Sequence, residues 1–328
     1  MPAPFTRQTL TREAIVVGCG VSGLSCAIRL AEAQFAVRIV ARERTPHTTS
    51  DIAAAVWYPF RCGTADRGLA WSRRTFRVLR ELSHDPASGI TLVEGIDLLA
   101  EADAEEPWWK EAVERFRPAH RGEIPDASPA AWVFEAPVVA MPVYMKWLEA
   151  KAASLGIVVE TRTVTSLDTL LLEASVVVNC TGLGARELAN DETLVPIRGQ
   201  IVRVEPGHVR RFVQGGNGAE LAYIIPRPDC TVLGGTQDVD VWDTTVRPVT
   251  AEGILARCIA LAPELAKAKV LSHAVGLRPG RPEPRLESER RPGGFIVHDY
   301  GHGGGGVTLS WGCAEEVARR ALAAVALG

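Results

Sequence analysis

The chain has 328 residues, of which 47% are hydrophobic and 23% are charged, and its formal net charge is −3 at pH 7. This is the composition of a globular protein with room for two domains, and without a basic excess we expect no nucleic-acid partner. Residues 1–13 lack the apolar core of a signal peptide, and the longest apolar stretch, around Leu170–Val178, is too short to span a bilayer, so we expect no membrane partner.

The seven cysteines are scattered along the chain and show no C-x-x-C spacing. This pattern favours reduced thiols and a cytoplasmic location, and it argues against a metal site. Cys19 and Cys26 fall in the first predicted strand–helix unit, where we expect them to be small core residues.

A glycine-rich turn near the N-terminus has the pattern G-x-G-x-x-G. Ala14–Val17 predicts a buried strand that runs into Gly18–Gly23, and apolar residues at 24, 27, 28 and 31 then recur with the period of an amphipathic helix. A second apolar run, Phe35–Ala41, precedes Glu43, which lies 20 residues after Gly23. Strand, glycine turn, helix, strand and acid in this order are typical of a dinucleotide-binding unit.

Each glycine of this turn has its own predicted role. Gly18 permits the tight turn, Gly20 lets a pyrophosphate approach the backbone, and Gly23 lets helix and strand pack closely. The helix start adds free N–H groups and a positive dipole end, and Glu43 is expected to accept hydrogen bonds from ribose hydroxyls. The predicted cofactor contacts of this unit are Gly18, Gly20, Val21, Ser22, Gly23, Arg42 and Glu43.

The hydroxyl residues Thr48, Thr49 and Ser50 follow the second strand and have two interpretations. Their hydroxyls can donate to phosphate or cofactor oxygens beside the glycine turn. Alternatively, Ser50 or Asp51 caps a helix. The sequence leaves both interpretations open, and all three hydroxyl residues are candidate cofactor contacts.

The middle of the chain predicts a mixture of helices and short strands. Helices are expected at Leu69–Leu82, Pro142–Leu155 and Ala251–Ala262. The fully apolar strand Val176–Val178 ends in Asn-Cys-Thr-Gly, which makes Thr181 a further candidate cofactor contact. The segments after Arg198 are rich in short strands and predict a second, β-rich region.

A run of four glycines lies in the last fifth of the chain. Gly303–Gly306 predict a loop with almost no side chains, and apolar residues at 307, 309, 311, 314 and 317 predict a helix directly after it. Such a loop lets a flat ligand lie against the backbone, and the helix start suits a flavin, whose reduced ring gathers negative charge. The predicted contacts are Gly303, Gly304, Gly305, Gly306, Val307 and Thr308.

The two glycine loops lie nearly 300 residues apart and are expected to serve one cofactor. We therefore predict an α/β fold with a Rossmann-like domain assembled from residues 1–56, 142–184 and 274–328. Residues 57–141 and 185–273 are expected to form a β-rich α+β domain that binds the substrate.

Nearly the whole chain resembles the D-amino-acid oxidases, and the last two of its matching segments are the most specific. These segments are Val17–Leu24, Thr48–Ala54 with Trp57 and Pro59, Val178–Gly182, Arg198–Gln200, Tyr223–Pro226, Leu233–Gly235, Val275–Pro282 and Tyr300–Gly303. The resemblance implies non-covalent FAD in an extended pose, with Val164 touching the adenine side through its backbone.

The resemblance also implies how a substrate is held and oxidised. Arg278, beside the cofactor, would pair bidentately with the substrate carboxylate, Tyr223 would donate to the same group, and Gly304 would offer its carbonyl to the amine. Hydride transfer to flavin N5 and reoxidation by dioxygen would yield hydrogen peroxide, a 2-oxo acid and ammonium. No general base is nominated, since the amine can arrive neutral. The alternative for Tyr223 is a strand aromatic in the core, and His302 is expected to be structural.

Two departures from the family pattern bear on the substrate. Gln237 stands where related D-aspartate oxidases tend to have arginine, which favours neutral D-amino acids; Arg227 is the next cation to test if acidic ones are preferred. Ala219 stands where many members have a second tyrosine. The alternatives are a D-aspartate or glycine-type secondary-amine oxidase of the same fold, or a flavoprotein dehydrogenase or sensor that does not use oxygen. The oligomeric state stays open, with a homodimer as one option.

Overall fold

The computed structural model of the protein describes residues 12–59, 65–125, 128–216 and 220–326. The N-terminal residues 1–11, for which no signal peptide was expected, lie outside these ranges, as does Ala219. In the described ranges, no helix has the length and hydropathy that crossing a membrane requires.

The described residues contain strands and helices in a mixed order. The strands are β1 (Arg12–Val17), β2 (Phe35–Ala41), β3 (Ile90–Leu99), β4 (Glu114–Pro118), β5 (Ala130–Val139), β6 (Val158–Thr161), β7 (Val176–Asn179), β8 (Val195–Val204), β9 (Phe212–Gly215), β10 (Ala222–Pro226), β11 (Thr231–Gly234), β12 (Asp238–Val239), β13 (Val270–Gly280), β14 (Arg285–Arg291) and β15 (Gly294–Tyr300). The helices are α1 (Val21–Glu32), α2 (Thr49–Ile52), α3 (Ala65–Leu82), α4 (Met141–Ser154), α5 (Ala185–Leu188), α6 (Pro248–Leu261) and α7 (Gly306–Ala326). The predicted helices and strands are present, with ends shifted by a few residues.

The first sheet has six strands in the order β14-β15-β7-β1-β2-β6. The strands from β15 to β6 run parallel, and β14 is antiparallel to β15. Val176–Val178 of β7 and most of β1 are buried and apolar, because α1, α4 and α7 cover one face of these strands and a second cluster with Leu167, Leu170 and Leu171 covers the other. This is the Rossmann-like layer that the sequence predicts.

The carboxyl ends of the parallel strands place the predicted cofactor residues at one edge of this sheet. Strand β1 runs into the first glycine turn, and β7 is followed closely by Thr181. These two ends are neighbours, because the parallel strands pair from Ala14 opposite Val176 to Val17 opposite Asn179. Strand β2 ends at Arg42 and Glu43, and β15 ends at the second glycine loop. Ligands of open α/β sheets bind at such an edge.

The second sheet has nine strands, in the order β12-β8-β11-β10-β9-β3-β5-β4 with β13 paired to β8. Helix α6 packs against β8, β10 and β11, and its buried face includes Ile254 and Cys258. The mixed α/β architecture therefore agrees with the predicted fold class.

The boundary predicted between residues 273 and 274 falls inside strand β13, which runs from Val270 to Gly280. Strand β13 pairs with β8 from Val270 to Gly280, so residues 274–280 belong to the second sheet and only the chain after Gly280 returns to the first. Helix α3, expected in the substrate region, packs against α7 of the first layer. Both differences arise because burial of apolar surface, rather than chain position, decides which layer a segment joins.

Candidate active site

A cavity of about 1200 Å³ is lined by residues of both sheets. Its volume exceeds that of ordinary small-ligand pockets, so it has room for a dinucleotide and a second small molecule. Most of the predicted site residues line it together, namely Gly18, Gly20, Val21, Ser22, Arg42, Glu43, Thr48, Thr49, Ser50, Val164, Thr181, Tyr223, Arg278, Gly303, Gly304, Gly306, Val307 and Thr308.

Two predicted cofactor contacts, Gly23 and Gly305, do not line the cavity and support it from behind. A Cβ at Gly23 would lie 2.0 Å from the carbonyl oxygen of Gly18, so Gly23 allows the helix to pack against the turn. Gly305 is buried, and its N–H donates to the carbonyl of His302 at 2.9 Å, which shapes the loop before α7. Their direct contact with the cofactor stays a prediction.

The first glycine turn has the backbone that the motif requires. Gly18 has a φ of +110°, and a Cβ there would lie 2.4 Å from the carbonyl oxygen of Cys180. Helix α1 starts at Val21, and its N-cap residue Gly20 makes no side-chain cap. The first turn of α1 thus presents N–H groups and the positive dipole end at the cavity wall, where a pyrophosphate would bind.

The structure supports part of each interpretation of the hydroxyl residues that follow β2. Thr48, rather than Ser50 or Asp51, caps α2, and its N–H and hydroxyl both donate to the Asp51 carboxylate at 2.9 and 2.7 Å. The Ser50 oxygen accepts the N–H of Val21 at 3.0 Å, which ties this segment to the start of α1. The Ser50 hydroxyl proton remains available to donate to a phosphate.

The second glycine loop is held close to the end of β13. Gly301 and Gly303 have φ values of +81° and +54°, and the Gly303 N–H donates to the carbonyl of Pro279 at 2.8 Å. A Cβ at Gly303 would meet no atom within 4 Å, so open space adjoins the loop. His302 binds Asp299 at 3.1 Å, which fits the structural role expected for it.

The hydroxyl of Thr308 is occupied by hydrogen bonds to the backbone of Tyr58. It donates to the carbonyl of Tyr58 at 2.9 Å and accepts the Tyr58 N–H at 3.2 Å. These bonds fix the start of α7 against the second sheet. A cofactor at this helix end would therefore meet backbone N–H groups.

Arg278 projects from β13 into the cavity, and neighbouring residues hold its side chain in place. Its Nη1 donates to the carbonyl of Thr236 at 3.0 Å. A Cβ at Gly199 would lie 2.4 Å from the guanidinium, so the glycine of the Arg198–Gln200 motif makes room for it. The planar guanidinium is suited to pair with a carboxylate in the cavity.

Tyr223 lies beside Arg278 and faces the same cavity. Its ring covers Gly234 and Gly235, where a Cβ would lie 2.0 and 2.8 Å from ring atoms. Burial raises the pKa of the Tyr223 hydroxyl above its usual value, against the lowering effect of the Arg278 cation. The hydroxyl is therefore a neutral donor, and its position favours the substrate-binding interpretation over the core one.

Arg198 is a functional support that sequence reasoning missed. It is fully buried and donates to the carbonyls of Asp243 at 2.9 Å and Thr245 at 2.6 Å. Gln200 binds the backbone of Arg247 through both its amide nitrogen and its oxygen. The pair thereby fixes the loop whose Trp242 and Thr244 line the cavity.

A polar cluster of Tyr58, Asp97 and Gln214 also lines the cavity and was not predicted. The Tyr58 hydroxyl donates to Asp97 at 2.8 Å, and the Gln214 amide donates to it at 3.4 Å. Burial raises the pKa of Asp97 to about 6, although both hydrogen bonds lower it. The available signal was a lone carboxyl inside the otherwise apolar run Ile96–Leu99.

Gln237 and Arg227, the two residues considered for binding the substrate side chain, differ in whether they reach the cavity. Gln237 is half-buried and lines the cavity. Arg227 is buried away from it and forms an ion pair with Asp229 through two nitrogens. Arg227 is therefore unsuited to bind an acidic substrate.

Two buried groups of metal-ligating side chains share Asp299. Cys26 and Cys180 lie within 4.8 Å of it on one side, and His302 and Cys313 do so on the other. Cys26 donates to Asp299 at 3.2 Å, and burial raises the pKa of both the Cys26 and the Cys180 thiol. Protonated thiols bind metals poorly, and the expectation of no metal stays a prediction.

The site fits FAD on the evidence of its own residues. The uncapped start of α1 would hold the pyrophosphate, and Glu43, exposed at the cavity wall, would accept from the ribose. The open space at Gly303 and the start of α7 would accommodate the flavin ring. Val164 and Thr181 line the same cavity.

Comparison with known proteins identifies the family. The family of FAD-dependent oxidoreductases named DAO matches residues 13–320. D-amino-acid oxidase of Rubrobacter xylanophilus is 52% identical, with 98% of each chain covered, and that of Streptomyces coelicolor is 42% identical, with 94% of this chain and 96% of the relative covered. Glycine oxidase of Geobacillus kaustophilus has the same fold, with a TM-score of 0.79 over 94% of this chain and 95% of its own at 20% identity. The resemblance inferred from the sequence is confirmed, and the chain belongs to the DAO family of FAD-dependent oxidoreductases.

Proposed function

We propose that the protein oxidises neutral D-amino acids, with FAD as its non-covalent cofactor and dioxygen as the electron acceptor. The products are a 2-oxo acid, ammonium and hydrogen peroxide. The observation that carries the proposal is that Arg278 and Tyr223 face the same cavity as both glycine loops. This arrangement supports a carboxylate-binding role for the two side chains and a flavin-binding role for the glycine loops.

The substrate is held at three points. The Arg278 guanidinium pairs with its carboxylate, and the neutral Tyr223 hydroxyl donates to the same group. The carbonyl of Gly304, an exposed residue of the cavity wall, accepts from the amine. These contacts fix two of the four substituents of the α-carbon, and the requirement that its C–H bond face the cofactor is a third constraint, which only one enantiomer meets.

The protein contributes orientation rather than proton transfer. The start of α1 and the second glycine loop would hold FAD, which would supply the redox chemistry, namely hydride acceptance from the substrate α-carbon and reoxidation by dioxygen. Arg278 and Tyr223 fix the carboxylate so that the C–H bond of the D-enantiomer points at the cofactor. The amine is neutral when it reacts, so the side chains around Arg278 need supply no base.

Stereospecific bleaching tests this proposal directly. Anaerobic mixing of the purified holoenzyme with D-alanine, D-valine or D-methionine should bleach the flavin absorbance, whereas the L-enantiomers should leave it unchanged. The reason is that Arg278 and Gly304 hold carboxylate and amine in fixed places. Equal bleaching by both enantiomers would overturn the assignment.

Oxygen consumption separates an oxidase from a dehydrogenase or a sensor. Air-saturated enzyme with D-alanine should consume oxygen and release hydrogen peroxide in a one-to-one ratio. Bleaching without oxygen uptake would indicate a different electron acceptor. Absence of bleaching by any amino acid would indicate a sensor or another substrate class.

Gln237 is expected to contribute to the rejection of acidic substrates. D-Aspartate should be a poor substrate, since its second carboxylate would lose hydration without gaining a cation. Gln237→Arg should raise the ratio of kcat/KM for D-aspartate to that for D-alanine by about tenfold, if a partly exposed pair of about 1 kcal/mol forms. Steady-state oxygen uptake measures the ratio.

A matched variant separates charge from side-chain size at this position. Gln237→Met keeps the length without a cation, so it should leave the ratio close to that of the wild type. An unchanged ratio in Gln237→Arg would mean that residue 237 does not face the substrate. A wild-type preference for D-aspartate would contradict the assignment of neutral substrates.

A cytoplasmic location is part of the proposal. It rests on five cysteines of the described ranges whose thiols are free and buried, namely Cys19, Cys26, Cys180, Cys230 and Cys258. Free thiols are typical of a reducing compartment.

A further inference from the structure

A row of polar side chains crosses the second sheet next to the substrate-binding pair. Asp97 of β3 lies opposite Gln214 of β9, and Gln214 lies opposite Tyr223 of β10. Side chains of residues that face each other across neighbouring strands point to the same side of a sheet. All three residues line the cavity, so the row extends from Tyr223 along its wall.

The length of this row matches a long substrate side chain. Neighbouring strands lie about 4.8 Å apart, so the backbone of Asp97 lies roughly 10 Å from that of Tyr223. A substrate carboxylate bound at Tyr223 and Arg278 would direct its side chain along the wall. An extended lysine side chain reaches about 6 Å from its α-carbon. The Asp97 side chain extends toward it and spans much of the rest of the distance between the two backbones.

Asp97 is an unusual residue to find in such a wall. Its exposure is 9%, and it accepts hydrogen bonds from Tyr58 and Gln214, both uncharged. No arginine or lysine in the described ranges forms an ion pair with it. Buried carboxylates usually have a cationic partner. Asp97 faces the cavity, so a cationic group of a bound molecule can pair with it there.

We propose that Asp97 is a specificity-determining residue, which binds the cationic side-chain end of basic D-amino acids such as D-lysine and D-ornithine. The inference rests on the proposed function and extends its substrate range from neutral to basic side chains. An ammonium group supplies the charge that Tyr58 and Gln214 lack. The same carboxylate repels acidic side chains, which adds to the rejection expected at Gln237.

Tyr58 acts as the positioning residue for this carboxylate. Its ring stacks on Phe134 and meets Trp109 edge to face, with centroid distances of 6.4 and 5.4 Å. Both contacts fix the ring, and the hydroxyl therefore stays directed at Asp97. The carboxylate is thus held in place before a substrate arrives.

The test compares D-lysine with D-norleucine, which has the same chain without the ammonium group. At a pH well above the Asp97 pKa of about 6, the wild-type holoenzyme should have a kcat/KM for D-lysine at least equal to that for D-norleucine. Asp97→Asn keeps the shape and the hydrogen bond from Tyr58. It should lower the D-lysine to D-norleucine ratio by about tenfold or more, because the charge-assisted bond is lost.

A control variant on the same strand shows whether the effect is local. Glu94→Gln removes a carboxylate of β3 that pairs with Arg211 and does not line the cavity. It should leave the ratio unchanged. FAD content and circular dichroism of Asp97→Asn establish that it is folded, and D-norleucine turnover establishes that it is active.

Each outcome of this experiment has one meaning. A wild-type kcat/KM for D-lysine below that for D-norleucine overturns the inference without any variant. So does an unchanged ratio in Asp97→Asn. If the wild type oxidises neither substrate, the proposed function itself has failed, and D-norleucine turnover distinguishes that failure from the failure of the Asp97 assignment.

Discussion

Arg278→Ala should keep its FAD and lose at least about a hundredfold in kcat/KM for D-alanine. A hydrogen bond to a charged group contributes about 1.5–3 kcal/mol, and a hundredfold loss corresponds to about 2.7 kcal/mol. The substrate carboxylate would enter the cavity with only Tyr223 as donor, so binding and orientation would both weaken. Oxygen-uptake kinetics and the flavin-to-protein absorbance ratio measure the two parts of this prediction.

Two further variants define what the arginine contributes. Arg278→Lys should fall between wild type and Arg278→Ala, since an ammonium group is a point charge and cannot form the two parallel bonds of a guanidinium. Arg319→Ala, on a side chain of α7 that is 74% exposed, should leave kcat/KM unchanged. Wild-type kcat/KM in Arg278→Ala would place the active site elsewhere.

The sequence predicted the nucleotide-binding layer well because its signals are local. The strand predicted at Ala14–Val17 lies inside β1, and Phe35–Ala41 coincides with β2. Gly18 is required by its φ of +110°, and Gly23 is required because a Cβ there would lie 2.0 Å from the carbonyl oxygen of Gly18. Periodicity and glycine placement report on neighbours in the chain, and these elements depend on little else.

The domain boundary could not be predicted, because it depends on long-range pairing. Strand β13 carries the family segment around Arg278, and chain position alone suggested that it returns to the first layer. It instead extends the second sheet beside β8, which places Arg278 opposite Ile197. Sheet register joins residues far apart in the chain, and no short pattern encodes it.

The site residues Asp97 and Arg198 were not predicted either, because their positions also depend on long-range contacts. A lone carboxyl in an apolar strand can face the core, a partner strand or a cavity, and only the register of β3 with β9 directs Asp97 to the cavity. Arg198 lies in a segment that the resemblance did highlight. Its hydrogen bonds to Asp243 and Thr245 depend on a loop that approaches only in the folded state.

Gly20→Val should yield protein that purifies without flavin colour. In the wild type, a Cβ at Gly20 would lie 3.1 Å from the Ser50 oxygen that accepts the Val21 N–H. A branched side chain would also occupy the space through which a pyrophosphate reaches the start of α1. With one or two charge-assisted bonds lost, at about 1.5–3 kcal/mol each, FAD affinity should fall by about a hundredfold or more.

Graded and matched substitutions distinguish loss of the cofactor site from loss of the fold. Gly20→Ala adds one methyl group and should weaken FAD binding less than Gly20→Val. Gly122→Val makes the same change where a Cβ meets no atom within 4 Å and should keep its FAD. Circular dichroism of Gly20→Val should match FAD-stripped wild type, and acid denaturation of wild type should release the flavin. A Gly20→Val protein that binds FAD as tightly as wild type would mean that the pyrophosphate lies away from the start of α1.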